Sequence, residues 1–476
     1  MRLKPLGRIF LLALALRVGL VLAFADLRIG LDDMFQYDML ARSIAAGNGY
    51  RWYAQEDLRL IQRYVGRYLP PIQIPPEYDP RGIPTSFRPP LYPAFLALVY
   101  LLVGSGPRRF LAARLVQALL GAALVPLAAQ VGRRLGCSER AARWGALGVA
   151  LYPLLVIYPL ALATENLFVF LLLLALWALL RAGERGRAFD YGLAGLLLGL
   201  TALTRSAVVP FVPLAALWTG WGVRPWRAGL RNGALVVLAF LLVTMPWSLR
   251  NSLLHGEFHF VETDLGYNLY MGYHPQSSGT FSVEFSFDLL PILDDGERNR
   301  LGMEAFWSFV RADPARVPYL MARKLSYFWG FDRRGFQYFY CNNFLGDWQP
   351  WQVEGALGLL CAPTALVVAA GLAGLVLARP RRQIALAALL VVSFTAGYVL
   401  IMAEARFHLP LIPPLAVLAA HTLVDRPWQG AARWQRGLAV LLWLALAANW
   451  GWELARDAEL LRALIAPGGN QLYLSY

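Results

Sequence analysis

Leu91-Tyr-Pro-Ala-Phe-Leu-Ala-Leu-Val-Tyr-Leu-Leu-Val-Gly104 decides how this chain is threaded. The run is apolar but only about fourteen residues long, and Pro89, Pro90 and Pro93 crowd its start. A membrane-crossing helix needs about 20 apolar residues, so the segment reads as an interfacial or re-entrant helix that returns to its own side. The arginines test that choice. With 91–104 kept on one face, apolar spans fall at approximately 9–25, 110–132, 144–163, 166–181, 190–204, 206–221, 233–249, 353–378, 384–402, 409–424 and 437–452. One side then collects Arg2, Lys4 and Arg8, and the loops carrying Arg133, Arg134, Arg140 and Arg143. It also collects Arg181, Arg185 and Arg187; Arg224, Arg227 and Arg231; Arg379, Arg381 and Arg382; and Arg426, Arg433 and Arg436. Short connections on the other side hold only Thr164-Glu165, Arg205 and Glu404-Ala-Arg406. Positive loops stay in the cytoplasm, so the spacing predicts an all-α polytopic membrane protein with about eleven spans, its N-terminus inside and its C-terminus outside.

Composition agrees. Of 476 residues 58% are hydrophobic, and the mean hydropathy is +0.47, which excludes an ordinary soluble enzyme. A formal charge of +14 would point a soluble protein toward nucleic acid, but here the basic residues belong to the inner loops. Lys4 and Lys324 are the only lysines. Cys137, Cys341 and Cys361 are too dispersed for a disulfide framework or a metal motif, and His255, His259, His274, His408 and His421 are scattered. The basic start and apolar run lack a small-residue cleavage site after Phe24, so the first span reads as retained. The chain divides into a membrane module, 1–249, with an outer loop at 26–109; an aromatic-rich outer unit, 250–352, expected to be small and α-rich; and C-terminal membrane helices with a short tail, 353–476.

Asp32 and Asp33 stand where the first span ends. At helical spacing Asp33 and Tyr37 share a face while Asp32 points about 100° away. Acids also flank spans merely because lipid excludes them. The same outer face gathers Glu165 and Glu404 with Arg88, Arg114, Arg205, Arg250, Arg406 and His408. Ionisable groups at a membrane edge are costly unless paired or functional. Glu165 opens a span and also fits a helix-start acid. Arg88, in Ser86-Phe-Arg-Pro-Pro-Leu-Tyr92, suits a lipid phosphate through bidentate donors, or ordinary headgroup contact. Arg17 lies inside the first span, where internal pairing serves as well as function. The stretch Leu69-Pro-Pro-Ile-Gln-Ile-Pro-Pro76 reads as extended, either a lid or surface packing.

Several stretches carry a resemblance: Asp33-Met-Phe-Gln-Tyr37 with Gly47-Asn-Gly-Tyr50, Phe87-Arg-Pro-Pro-Leu-Tyr-Pro93, Ala113-Arg-Leu-Val-Gln-Ala-Leu-Leu-Gly121 and Ala163-Thr-Glu-Asn-Leu167. Gly199-Leu-Thr-Ala-Leu-Thr-Arg205, Pro246-Trp-Ser-Leu-Arg-Asn251 and Arg406-Phe-His-Leu-Pro410 follow in order. The chain resembles lipid-phosphosugar-dependent glycosyltransferases of the GT-C fold, specifically the glycosyltransferase family 39 type, which includes protein O-mannosyltransferases and lipid A aminoarabinose transferases. The resemblance implies Asp33 at the reacting centre, with Glu165 as the second outer acid and Asp32 as support. It implies Arg88 on the donor phosphate, with Arg250, Arg406, Arg114 and His408 as further candidates, and Tyr37 and Tyr92 positioning substrate. Two departures stand out: Met34 replaces the second acid of the common Asp-Glu pair, and the soluble C-terminal domain of some members does not follow the last span.

The expected chemistry is transfer of a sugar from a polyprenyl-phosphate donor to an acceptor on the non-cytoplasmic face of the inner or plasma membrane, inverting, with Asp33 as general base. The acceptor remains open among protein, lipid, polysaccharide and glycolipid. No cofactor and no metal ligand set is implied; a divalent cation between Asp33 and Glu165 is the less favoured variant. A transporter or lipid-linked glycan flippase is the competing class, and a scaffold subunit a third; neither midplane acids nor repeats support the first.

Overall fold

A computed structural model describes residues 5–30, 32–65, 74, 77–379 and 381–472; apart from Ile74, the proline-rich stretch 69–76 lies outside the described residues. The N-terminal half runs α1 (Pro5–Ala23), α2 (Asp33–Ala45), α3 (Gln55–Val65), α4 (Leu91–Val103), α5 (Arg108–Leu135), α6 (Glu139–Leu151) and α7 (Pro153–Ile157). It continues with α8 (Glu165–Arg185), α9 (Ala188–Thr204), α10 (Phe211–Gly220) and α11 (Trp226–His255). The stretch 250–352, expected to form the outer unit, holds α12 (Leu265–Tyr273), α13 (Val283–Leu289), α14 (Asp295–Ala312), α15 (Arg316–Phe328) and α16 (Arg334–Cys341), so it is α-rich. The chain ends with α17 (Pro350–Leu377), α18 (Arg382–Leu400), α19 (Ile412–Ala420), α20 (Arg433–Arg456) and α21 (Ala458–Ile465). A two-residue antiparallel ladder pairs Arg51–Trp52 with Ile83–Pro84 and closes the base of the first outer loop.

Each of the eleven expected ranges falls on a helix, but length and composition qualify fewer as spans. Among the described residues eight helices are long and apolar enough to cross a membrane, or nine if the bent pair of α6 with 153–160 counts as one. The segments Ala188–Thr204 and Ser206–Gly220 are apolar but shorter.

The bent pair shows how the bundle accounts for its backbone. Pro153 has no N–H, so the carbonyl of Val149 loses its helical donor and the chain bends by 56°. Arg17, fully buried on α1, supplies the missing donors: its guanidinium reaches Val149 O at 3.2 Å and Ala150 O at 3.0 Å. It lies across Gly121 of α5, where any β-carbon would meet Arg17 Nε at 2.8 Å. Arg17 is thus an internal pairing device. A second close approach joins α9 to α11. A β-carbon at Gly195 would sit 2.1 Å from Val236 O, and one at Gly199 would sit 2.7 Å from Val243 Cβ. Small residues four apart are how membrane helices bring backbones together.

Helix α4 follows its length. Thirteen residues rise about 20 Å, short of a bilayer core of about 30 Å. Its Tyr92, Leu96, Ala97 and Tyr100 are buried while Leu98, Leu101 and Leu102 are exposed, the pattern of a helix lying in an interface. Asp38 of α2 anchors it. This buried carboxylate accepts from Tyr100 Oη (2.9 Å), Arg109 Nε (2.8 Å) and Arg42 Nε (2.9 Å), and Arg42 continues to Asp57 at 2.6 Å on α3. One acid therefore joins α2, α3, α4 and α5. Removing it leaves the largely buried Arg109 without a carboxylate while Arg42 keeps Asp57 and Glu56, so Asp38→Ala is expected to cost about 3 kcal/mol. A lowered thermal unfolding midpoint of the full chain checks this, with Arg300→Ala on the exposed face of α14 leaving the midpoint in place.

Candidate active site

Helix α2 is aimed by its first turn. Asp32 caps it, accepting from Met34 N at 2.8 Å, and its second carboxylate oxygen takes the Tyr338 hydroxyl from α16. Burial pushes the Asp32 carboxyl up to about 6 in spite of that hydrogen bond. The capping role fixes Asp32 as the residue that orients its neighbour. Asp33, one residue on, forms an ion pair with Arg88. The Asp33 side chain is 46% exposed and that of Arg88 17%, so the pair lies at an accessible surface.

Arg88 is held from several sides. Its Nε donates to Gln36 Oε1 at 2.9 Å, and its guanidinium lies 5.5 Å from the ring centre of Tyr37 and 5.1 Å from that of Phe87. The Tyr50 hydroxyl donates to the carbonyls of Arg88 and Pro89, at 2.8 and 3.1 Å. The Gly47-Asn-Gly-Tyr50 turn, with positive φ at both glycines, therefore works as a brace under the Arg-Pro-Pro segment. Tyr37 stands edge-on to Tyr92, with ring centres 5.1 Å apart, and Tyr92 Oη donates to Gln117 of α5 at 2.6 Å.

A second ion-paired group faces the first. Glu165 is buried at the start of α8 and receives Arg205 Nη1 at 2.7 Å. Arg205 in turn lies 5.0 Å from the Phe407 ring centre. Arg406 pairs with Glu404 at 2.7 Å. Burial raises the Asp33 carboxyl, but Arg88, Arg406 and Arg205 more than offset it and hold the group below the usual carboxylate range. Asp33, Glu165, Arg88, Arg205, Arg406 and Tyr37 thus share one electrostatic neighbourhood.

Three expected members do not join it. Arg114 is fully buried and spends its guanidinium on backbone carbonyls, Leu160 O at 2.8 Å and Leu27 O at 2.6 Å; it closes the α7 break rather than facing a ligand. His408 is fully buried, with Nδ1 2.6 Å from Phe328 O and Nε2 3.2 Å from Asp332 Oδ1. Arg250 lies 4.8 Å from the Trp247 ring centre and binds the Thr85 and Tyr50 carbonyls, so it supports the Arg88 loop from behind.

Two further acids come from the outer unit. Val261 and Thr263 are buried, and the Thr263 amide donates to Ser86 O at 3.1 Å. The alternate residues Glu262 and Asp264 are half-buried and act on both Arg88 and Arg205; Ser206 Oγ donates to Glu262. The signal was the pattern Val261-Glu262-Thr263-Asp264, whose period of two puts both acids on one side of an extended segment. Behind it Asp295 Oδ2 gathers Ser86 N at 2.7 Å, Thr263 Oγ1 at 2.6 Å, Ser86 Oγ at 3.1 Å and Thr85 Oγ1 at 3.2 Å. His255, scattered in sequence, comes together with Asp294 and Asp295, their ligand atoms within 4.8 Å of one another. The Asp295 oxygen is already saturated with donors and His255 Nε2 is 2.6 Å from Ser86 Oγ, so the trio as arranged ties the two outer loops.

Residues 87–249, from the Arg88 turn almost to the end of α11, match the family model of the dolichyl-phosphate-mannose-protein mannosyltransferases. An undecaprenyl phosphate-alpha-4-amino-4-deoxy-L-arabinose arabinosyl transferase of Pseudomonas aeruginosa is 44% identical over 79 residues, 16% of this chain and 14% of that protein. The match thus spans a small part of the curated relative's length. The crystal structure of the Archaeoglobus fulgidus oligosaccharyltransferase superposes with a TM-score of 0.52 at 14% identity, covering 99% of this chain and 53% of that one. The same protein tethered to an acceptor peptide with the sequence NVT gives 0.50 at 15%, covering 98% and 55%. The chain has the GT-C fold of membrane glycosyltransferases.

Burial, with Asp264 beside it, raises Glu262 to about 8. A carboxyl raised on folding stabilises the protein while protonated, fully below its unfolded value, and that contribution is lost as pH rises through the folded value. The thermal midpoint is therefore expected to fall as pH rises from about 4.5 to about 8 and to level off above that, with Glu262→Gln flattening that slope.

Proposed function

We propose that this chain is a membrane glycosyltransferase that moves a sugar from a polyprenyl-phosphate donor to an acceptor at the non-cytoplasmic face, with inversion. The observation that carries the reading is the direct pairing of Asp33 with Arg88 at an accessible surface: a base and a phosphate-binding cation held in contact. The matched family and the Pseudomonas relative are named for lipid-phosphate-linked sugars, which supports the choice of donor. The arginine asymmetry of the loops supports a cytoplasmic N-terminus and a site at the outer surface of the inner or plasma membrane.

In this mechanism the donor phosphate takes the Arg88 guanidinium as a bidentate partner, with Arg205 and Arg406 adding positive field. Asp33 is released from its ion pair and, ionised at neutral pH, accepts the proton of an acceptor hydroxyl or amine. The acceptor atom bonds to the anomeric carbon as the bond from that carbon to phosphate oxygen breaks, and polyprenyl phosphate departs with the electron pair. The leaving phosphate needs charge stabilisation rather than a proton, so no resident metal or cofactor enters the scheme. Glu165 acts by fixing Arg205, Asp32 by fixing the first turn of α2, and Tyr37 and Tyr92 by shaping the wall under Arg88. A transporter or flippase has less support, because the paired residues sit on loops and helix ends rather than mid-span.

General-base assistance contributes about 10²–10⁴-fold. Asp33→Asn is accordingly expected to lower turnover with polyprenyl-phosphate sugars by about that factor while donor binding persists; wild-type turnover in the variant overturns the assignment. Arg88→Ala is expected to weaken donor binding by about tenfold or more, the loss of one charge-assisted contact, read by titrating purified protein with undecaprenyl phosphate. Chelator treatment is expected to leave the rate unchanged.

A further inference from the structure

A second cluster of cations lies away from the Asp33–Arg88 pair, where α15 of the 250–352 unit meets the last turns of α20. A cleft of about 380 Å³ runs between them, lined by Tyr319, Arg323 and Ser326 on one side and Ala445, Asn449 and Trp452 on the other. Three guanidiniums surround the Tyr327 ring, with Arg456 at 4.7 Å, Arg334 at 5.4 Å and Arg323 at 5.5 Å from its centre. Two of them have acids: Arg456 pairs with Asp457 at 2.6 Å, and Arg334 lies 3.9 Å from Glu404. Arg323 differs. Its terminal nitrogens donate to the hydroxyls of Tyr319 (2.9 Å) and Tyr327 (2.6 Å), no carboxylate among the described residues pairs with it, and its Nε is buried without an acceptor. A guanidinium with an unmet N–H and no counter-charge favours an anionic oxygen.

The setting says what brings that oxygen. Helix α20 has one of the least buried spans, and its Trp434, Trp443 and Trp452 are all exposed. Trp452 stands in its last turns, and tryptophan is enriched at the ends of spans, where they meet the membrane–water interface. Tyr319 and Leu325 of α15 are exposed beside it. Asn449 and Trp450 donate to the Trp329 carbonyl, and Glu453 accepts from Arg333 at 3.0 Å, so this end of α20 is fastened to the outer unit. A cationic, aromatic-walled cleft open at headgroup depth fits a phosphate carried by a lipid, with acyl chains running along the exposed face of α20.

We propose that the α15–α20 cleft binds the phosphate of an anionic phospholipid through Arg323 and fastens the outer unit to the bilayer at the end where Arg334, Glu404 and Arg406 lead toward the Asp33 site. The proposal does not depend on the transfer chemistry. The test uses the purified full chain, delipidated in detergent and titrated separately with phosphatidylglycerol and phosphatidylcholine, with bound lipid counted by native mass spectrometry. Wild type is expected to retain one phosphatidylglycerol in preference to phosphatidylcholine. Arg323→Gln is expected to weaken that site by about tenfold or more with phosphatidylcholine uptake unchanged. Ala445→Trp, which fills the cleft without altering any charge, is expected to do the same, and Arg323→Lys to restore part of the preference. Wild-type phosphatidylglycerol affinity in both Arg323→Gln and Ala445→Trp overturns the proposal. Equal loss of both lipids also overturns it, because that outcome marks a general apolar contact.

Discussion

A helix of thirteen residues is too short to cross a bilayer core, and the placement of Arg88 beside Asp33 follows from that constraint. Because α4 is too short to span and packs against α2 and α5, the chain returns to the start of α5 beside α2, and Arg88 is delivered next to Asp33. The buried Asp38 completes the arrangement by binding α2, α4 and α5 through a single carboxylate, with Arg42 carrying the link on to Asp57 of α3. Desolvating that acid is worthwhile only because two guanidiniums and a phenol meet it.

The bundle also depends on how it treats arginines within the apolar layer. Arg17 and Arg114 are spent on carbonyls that proline breaks or loop entries leave without donors. Backbone groups in lipid must be satisfied within the protein, and a long side chain with five donors reaches groups that no helix can. These residues look functional by charge and location, but the backbone has already claimed their donors. Arg88, Arg205 and Arg406 differ because their partners are side chains at helix ends and loops.

The fold, and the residues that gather at the candidate site around Asp33, were readable in the sequence for specific reasons. Span positions follow from composition, and α4 from its length and flanking prolines. Asp33, Arg88 and Glu165 were legible because each sits at a boundary that apolar runs define. The eleven ranges all meet helix, but the count of eleven spans is not reached: among the described residues eight or nine helices qualify, and α9 and α10 fall short of span length. Glu262 and Asp264 were obscured because their nearness to Arg88 depends on Thr263 meeting Ser86, a contact across 177 residues. Arg114 and His408 misled because location on a face carries no information about which donors are already engaged.

The Asp295 knot gives the outer face a timetable. Its carboxylate collects Thr85, Ser86 and Thr263, groups separated by most of the N-terminal membrane module. Neither outer loop has its full set of hydrogen bonds until the chain has been made and inserted past α11 and into α14. The helices before that point are able to pack as each emerges, whereas the Arg88 turn is secured only after distant chain returns to it, the pattern of a high-contact-order element. The Asp33–Arg88 end is thus the last part of the N-terminal half to mature, and a ribosome halted before α14 would leave a helical bundle whose Arg88 loop has no lock.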